Sequence, residues 1–141
     1  MVRRSAISLF AAGAAVSFIG IVILLLTYKP PSSTNDLFLI PAGFEGTVRV
    51  TYNVPGAPEL RKEGRYDIIP VRPDGTFETS TPDMEYGMVT NQYFYVDEAG
   101  RRTPIDEKCV AAPSNGASEV GGKVTRHVTF DIKQTGCSED L

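Results

Sequence analysis

The sequence has little of what most catalytic and metal sites require. Histidine occurs once, at His127, and cysteine twice, at Cys109 and Cys137. A Ser–His–Asp or Cys–His mechanism would have to use His127 as its general base, and no Gly-x-Ser-x-Gly elbow accompanies it. The cysteines lack the Cys-x-x-Cys spacing of metal sites, and no segment matches an EF-hand or a Gly-rich phosphate loop. We therefore predict no cofactor and no metal.

Negative charge is absent from the N-terminal part of the chain and dominates the rest. All 17 acidic residues follow Lys29, but only 11 of the 14 basic residues do, so residues 30–141 carry a net charge of −6. Affinity for nucleic acids comes mainly from basic side chains that neutralise phosphates. An acidic module without a basic stripe is a poor candidate for that role.

The 141 residues leave room for one domain.

An uncharged stretch, Ser5–Tyr28, predicts a transmembrane helix. At about 1.5 Å per residue, its 24 residues reach roughly 36 Å, enough to cross a hydrocarbon core of about 30 Å. Arg3 and Arg4 precede this stretch and only Lys29 follows it closely, so the positive-inside rule keeps the N-terminus in the cytoplasm. We predict a single-pass protein of the cell membrane whose helix contacts lipid and whose C-terminal domain is extracytoplasmic.

A cleaved signal peptide is the alternative, because it also begins with a short basic region and an apolar run. The small residues Ala12–Ala14 come before the most apolar part of the run, whereas a cleavage site should follow it. An uncleaved signal anchor is therefore favoured. The predicted organisation is a cytoplasmic n-region over 1–4, the anchor over 5–28, a Pro/Ser linker over 29–35 and a β domain over 36–141.

Beyond the linker, short apolar runs alternate with turn signals and predict an all-β domain. Leu37–Ile40 is a short apolar run, and Gly46–Tyr52 and Val124–Lys133 alternate apolar and polar residues, as half-buried strands do. About seven or eight short strands in the domain predict a small antiparallel β-sandwich. A β-barrel is the alternative.

Two turn signals predict hairpins. The turn Arg72–Gly75 separates a strand over Arg65–Val71 from a strand over Thr76–Thr79. The turn Asp97–Gly100 follows an aromatic strand, Gln92–Val96, and precedes a strand that begins near residue 101.

One segment, Thr81–Gly87, predicts a single helical turn. It has a capping residue, a proline at the first position, early acidic residues and a terminal glycine.

Cys109 and Cys137 form an even pair in a domain that we expect to be exported, where disulfides persist. Closing a loop of about 29 residues would stabilise the fold by about 3.6 kcal/mol on the chain-entropy model. A disulfide is therefore predicted, with two free thiols as the alternative.

Aromatic residues near an acidic segment suggest where a binding site would lie. Tyr93 and Tyr95 share one face of their predicted strand, and Tyr86 and Asp83 are close in sequence. An exposed aromatic ledge could bind a peptide or a glycan, whereas packing within a sheet would explain the same residues. We take Asp83, Tyr86, Tyr93 and Tyr95 as the candidate binding residues.

Two segments carry a resemblance to a known family: an Ile-Pro-x-Gly-Phe-x-Gly start at Ile40–Gly46 and a Thr-Ser-Thr-Pro-Asp segment at Thr79–Asp83. Together they resemble small exported bacterial proteins with a domain of unknown function, found as lipoproteins or behind one membrane helix. The resemblance covers roughly residues 37–105, and this chain lacks the lipid-attachment cysteine. It implies an envelope location and a β domain and assigns no catalytic residue.

The sequence thus predicts a membrane-anchored, extracytoplasmic binding or accessory module of the bacterial envelope without catalysis, whose partner is an envelope protein or a glycan. One alternative is a small envelope hydrolase that uses Asp83, Glu85 and His127, which would have to meet in one cleft. The other is an inhibitory or structural partner of another envelope protein.

Overall fold

A computed structural model describes residues 32–137, apart from the side chain of Val120. The chain divides into two units, Met1–Pro31 and Ser32–Leu141. The predicted n-region, transmembrane helix and residues 29–31 of the predicted linker lie outside the described residues. Within the part that is described, no helix has the length and apolar character needed to cross a membrane.

The described residues form eleven strands and one short 3-10 helix over Glu107–Cys109. The strands are β1 (Ser33–Thr34), β2 (Asp36–Pro41), β3 (Gly46–Tyr52), β4 (Arg61–Glu63), β5 (Tyr66–Pro70), β6 (Thr76–Glu78), β7 (Met88–Val89), β8 (Gln92–Val96), β9 (Arg102–Pro104), β10 (Ser114–Val120) and β11 (Lys123–Ile132). Strand β1 lies within the predicted linker, so the last part of that linker already has regular structure. The prediction of an all-β domain is confirmed.

Two open sheets carry most of the strands. One has five strands in the order β4-β5-β2-β8-β9, and the other has four in the order β10-β11-β3-β6. Strands β1 and β7 form a separate two-stranded pair. Open sheets joined by a shared core are consistent with the predicted β-sandwich.

The core lies between the two sheets. From the four-stranded sheet, Val48, Val50 and Tyr52 of β3 are buried while Thr47 and Arg49 are exposed, as the alternation in the sequence predicts. Aromatic rings join the two layers.

Phe38 of β2 stacks on Tyr93 of β8, with ring centroids 5.1 Å apart, and meets the ring of Phe130 of β11 edge-on at 4.9 Å. The buried apolar side chains of both sheets thus form one cluster.

The sheets are mixed, so the predicted antiparallel pairing holds for only some of the strand pairs. Strand β2 is parallel to both of its neighbours, β5 and β8, and β3 is parallel to β6. Because β2 is the central strand, its run Leu37–Ile40 is largely buried, which is the pattern of strands covered on both faces.

The first predicted hairpin is also wrong, although its turn exists. Gly75 donates a backbone hydrogen bond to the carbonyl of Arg72 at 2.9 Å and has φ +83°. However, the turn connects the sheets: β5 pairs with β4 and β2, whereas β6 pairs with β3. The second hairpin is confirmed, because β8 and β9 are antiparallel neighbours.

Thr81–Gly87 contains no helical turn, so that prediction is wrong as well. Tertiary contacts hold its side chains in an irregular path. Met84 is buried in the core, and the Thr81 hydroxyl accepts a hydrogen bond from the backbone N–H of Leu60 at 3.1 Å. These contacts outweigh the local helical signal.

Cys109 and Cys137 are joined by a disulfide, as predicted, with Cα atoms 4.4 Å apart. The bond ties the 3-10 helix to the segment after β11, where Lys133 donates to the carbonyl of Cys109. Ile132 pairs with Gly46, at the end of β3 opposite to Tyr52. The disulfide therefore fixes one end of the sandwich and leaves the Tyr52 end to noncovalent contacts.

Candidate functional site

A cleft of about 310 Å³ opens at the Tyr52 end of the sandwich. Five of its lining side chains are acidic and one is basic; we call it the acidic cleft. Its lining residues are Asp36, Tyr52, Glu59, Leu60, Lys62, Asp67, Thr81, Pro82, Asp83 and Glu85.

One wall of the acidic cleft is a row of charged residues across three adjacent strands. Asp36 of β2 lies directly opposite Asp67 of β5, and Asp67 lies opposite Lys62 of β4. The Lys62 Nζ lies 3.0 Å from each of the two Asp67 carboxylate oxygens. Like charges directly opposite each other destabilise a sheet, so this row places two carboxylates side by side at an energetic cost.

Asp36 is the less satisfied of the two aspartates. It is only 7% exposed, and within residues 32–137 no hydrogen bond or ion pair reaches its carboxylate; its backbone N–H donates to Asn91. Burial, followed by the negative charges of Glu85 and Asp67, raises the pKa of Asp36 to about 7, while Lys62 opposes the shift. The carboxyl therefore changes charge near neutral pH.

Tyr52 contributes a hydroxyl from the other sheet. The residue is 1% exposed, and its hydroxyl is the single buried side-chain polar atom without a hydrogen-bond partner among the described residues. Burial, and then the negative charges of Asp36, Asp67, Glu85 and Asp83, raise the pKa of Tyr52, so the phenol stays protonated. A protonated hydroxyl can donate one hydrogen bond and accept others.

The remaining acidic residues come from the irregular segment after β6. Asp83 pairs with Arg126 of β11 at 3.1 Å and accepts a hydrogen bond from the Tyr86 hydroxyl at 3.0 Å. The Glu85 carboxylate accepts a hydrogen bond from the backbone N–H of Asn35 at 3.1 Å. These contacts fix the segment as the rim of the acidic cleft.

The structure brings together two of the four predicted binding residues, Asp83 and Tyr86. Tyr86 is 48% exposed. Tyr93 lies in the core against Phe38 and is 8% exposed. Tyr95 packs against the core, and its hydroxyl donates to the carbonyl of Phe44 at 3.2 Å. Tyr93 is thus buried in the core, whereas Tyr95 packs against the core and stays partly exposed.

The three residues of the hydrolase alternative do not share a cleft. Asp83 and Glu85 line the acidic cleft. His127 follows Arg126 on β11 and so points to the opposite face of the sheet, where its ring lies over Gly116 of β10. Burial and the charge of Arg49 lower the pKa of His127. The structure therefore does not bring the imidazole together with these carboxylates.

Sequence reasoning missed Asp36, Asp67 and Tyr52 as site residues. Each one belongs to a strand that the sequence predicts or adjoins such a strand, and the strand pattern alone accounts for it. The available signal was an acidic residue next to apolar strand residues, as in Asp36-Leu37-Phe38 and Asp67-Ile68-Ile69. A carboxylate there is either paired or functional.

The cleft differs from the other surface grooves and from a metal site. Grooves of about 550 and 640 Å³ lie elsewhere on the domain, but no buried unpartnered side-chain group of the described residues opens into them. Over residues 32–137, no group of three or more His, Cys, Asp or Glu side chains is arranged to hold a metal ion.

Two comparisons with known proteins each match about three quarters of the chain. Residues 32–141 match the model of a family of unknown function, DUF6843. A crystal structure of a "putative lipoprotein" from Bacillus anthracis has a TM-score of 0.74 and 36% sequence identity, over 76% of this chain and 75% of that chain. No curated protein matches the sequence. The chain belongs to the DUF6843 family.

Proposed function

We propose that this protein is a membrane-anchored, extracytoplasmic binding module of the bacterial cell envelope that acts without catalysis. Residues 5–28 anchor it in the membrane, and the domain presents the acidic cleft outside the cytoplasm. The observation that carries the proposal concerns Tyr52, a residue that lines the cleft: its hydroxyl is buried and has no hydrogen-bond partner among residues 32–137. Buried polar groups in proteins are nearly always hydrogen-bonded, so a ligand that completes this bond explains the arrangement.

The location rests on three independent observations. The lipoprotein description of the similar Bacillus anthracis protein supports association with the envelope. The charge asymmetry around residues 5–28 favours export of the domain. The disulfide between Cys109 and Cys137 is typical of proteins outside the reducing cytoplasm.

Binding is favoured over hydrolysis by the position of His127. The cleft has carboxylates but no histidine beside them, and His127 faces away from Arg126 and Asp83. A carboxylate pair with a separate acid and base role would need two carboxyls across a substrate. Asp36 and Asp67 lie side by side on one wall, so these two carboxyls do not form such a pair.

The location is tested in spheroplasts of cells that express the full chain with a C-terminal reporter. We expect added protease to remove the reporter while leaving a cytoplasmic control intact. A reporter protected to the same degree as the cytoplasmic control would contradict the proposal.

Binding is tested by photocrosslinking in the same cells. Glu59→benzoylphenylalanine places the probe at the exposed rim of the cleft, and Glu98→benzoylphenylalanine places it in the distant turn after β8. We expect a captured species specific to position 59 that is lost when Tyr52→Phe is added. Identical capture from both positions, or none above background, would contradict a binding role for the cleft.

A further inference from the structure

The charge of the acidic cleft restricts which ligand it can accept. Five carboxylates face one ammonium group, and that ammonium is already paired with Asp67. An anionic ligand would meet net repulsion. A cation instead would gain charge-assisted hydrogen bonds, which are shorter and stronger than neutral ones.

The cleft walls favour an organic cation over a metal ion. Leu60, Pro82 and the ring of Tyr52 supply apolar surface beside the carboxylates, which suits an alkyl chain that ends in a charge. The described carboxylates do not form a group that could hold a metal. The volume of about 310 Å³ is at the small end for ligand sites, so it suits a single extended chain.

Lys62 shows which head group the row of aspartates accepts. Its Nζ lies 3.0 Å from both carboxylate oxygens of Asp67, while its side chain is 61% exposed. The neighbouring carboxylate, Asp36, has no ammonium at that distance among residues 32–137, where Lys62 pairs with Asp67. A second ammonium group placed beside Asp36 would have the Asp36 carboxylate as its ionic partner.

The Tyr52 hydroxyl completes the site from the opposite sheet. An ammonium has three N–H donors. Two can bind carboxylates and the third can bind the phenol oxygen, which lacks any other partner among the described residues.

We propose that the acidic cleft binds an alkyl chain that ends in a primary ammonium group, with Asp36 and the Tyr52 hydroxyl as its principal partners. This inference rests on the proposed binding function and names its ligand class. The same chemistry belongs to a lysine side chain of another protein and to a free alkylamine, and the experiment separates these two sources.

Isothermal titration calorimetry on the full-length protein in lipid nanodiscs tests the proposal, with n-pentylamine and Nα-acetyl-lysine methylamide as ligands and 1-pentanol as the uncharged control. We expect both amines to bind and 1-pentanol not to bind. Tighter binding of pentylamine supports a free amine as the source, and tighter binding of the lysine derivative supports a protein side chain. Equal affinity for 1-pentanol and pentylamine, or no amine binding at tens of millimolar, would overturn the proposal.

Variants assign the binding to the cleft. We expect Asp36→Asn to weaken amine binding by about tenfold or more, and Tyr52→Phe by about threefold or more, since each removes a bond to the ammonium. Glu98→Gln, an exposed acidic residue outside the cleft, is the matched control and should change affinity less than about twofold. Weakening of the same size in Glu98→Gln would reduce the effect to general surface charge and overturn the proposal.

Lys62→Met provides a test that a merely structural role would not satisfy. It removes the internal ammonium that occupies Asp67, so we expect amine binding to become tighter by about threefold. Weaker binding in this variant would contradict the site.

The two proposals fail separately. If no amine binds but the crosslink at position 59 still depends on Tyr52, the ligand class is wrong and the binding function stands. If both experiments fail, both proposals are wrong.

Discussion

Removing the hydroxyl of Tyr52 should make the unliganded protein more stable. Most substitutions of a core tyrosine destabilise a domain, because they remove packing or break a hydrogen bond. In Tyr52→Phe the ring keeps its place in the core, and the removed hydroxyl has no partner among the described residues. The folded state therefore loses an unfavourable group and little else.

The magnitude follows from the burial of that hydroxyl. Tyr52 is 1% exposed, so the hydroxyl gives up its water contacts almost completely on folding. An unpartnered buried hydroxyl costs about 1–3 kcal/mol in proteins. Allowing for partial relaxation, we expect the free energy of unfolding to rise by about 1–2 kcal/mol, which is a Tm increase of roughly 4–8 °C for a domain of this size.

Thermal unfolding followed by far-UV circular dichroism, on the full-length protein in nanodiscs without added amine, measures the effect. Tyr95→Phe is the matched control, because its hydroxyl donates to the Phe44 carbonyl at 3.2 Å. That variant should lose about 0.5–1.5 kcal/mol. If Tyr52→Phe proved as destabilising as Tyr95→Phe, the hydroxyl would have a partner in the unliganded state, and the argument for a ligand would lose its basis.

Three further predictions concern the acidic cleft, the disulfide and one turn. The pKa of Asp36 is about 7 in the folded protein against an ordinary value of 3.8, so the folded state keeps a proton that the unfolded chain releases. The free energy of unfolding should therefore fall by up to about 4 kcal/mol as pH rises from about 4 to about 7. Asp36→Asn should abolish this fall, as measured by urea titrations at each pH. Reduction of the bond between Cys109 and Cys137 should lower the free energy of unfolding by about 3.6 kcal/mol, and equal urea midpoints with and without reductant would contradict this. Gly75→Ala should destabilise the domain more than Gly100→Ala. Both glycines have positive φ, which costs about 1–2 kcal/mol for alanine. Of the two, only Gly75 would place the new Cβ against a backbone oxygen, that of Thr47. Equal urea midpoints for these two variants would argue against the tight connection between the sheets.

Most of the strands that the sequence predicts have a buried face. Gly46–Tyr52 and Gln92–Val96 have the predicted bounds, because an apolar face packed on a core leaves a period of two in the sequence. Two of the strands that were not predicted are mostly polar. Arg61–Glu63 is exposed throughout, and Ser114–Val120 is an edge strand paired with β11. Strands of this kind are specified by the backbone of a neighbour and leave no apolar pattern.

Local sequence patterns could not predict which strands pair with each other, for a related reason. The turn at Arg72–Gly75 has the residues of a hairpin turn, and it does form. Whether the chain then folds back beside β5 or crosses to β3 depends on which strand edge is free. Strand β5 already has neighbours on both sides, β4 and β2, so the following strand pairs with β3 in the other sheet.

The site depends on those same nonlocal pairings. Asp36 and Asp67 are separated by 31 positions in the sequence and become neighbours only because β2 and β5 are parallel. Tyr52 reaches them from the facing sheet. No spacing rule for a catalytic or metal motif joins three residues in this way, so the sequence could predict the type of domain but not its cleft.

The distribution of unfavourable features across the domain is itself an argument for function. Two adjacent carboxylates lie at the Tyr52 end, together with a hydroxyl that has no partner in the described part of the chain, and each feature lowers stability. The opposite end is held by the disulfide, and between them lies an apolar core with stacked aromatic rings. A sandwich maintained only for its fold could replace Asp36 by an apolar residue and Tyr52 by Phe without losing a hydrogen bond. Features that lower stability and lie together at one cleft are typical of functional sites, where ligand binding restores the free energy that folding loses. The same balance predicts that amine binding should raise the Tm of the wild-type protein more than that of Tyr52→Phe.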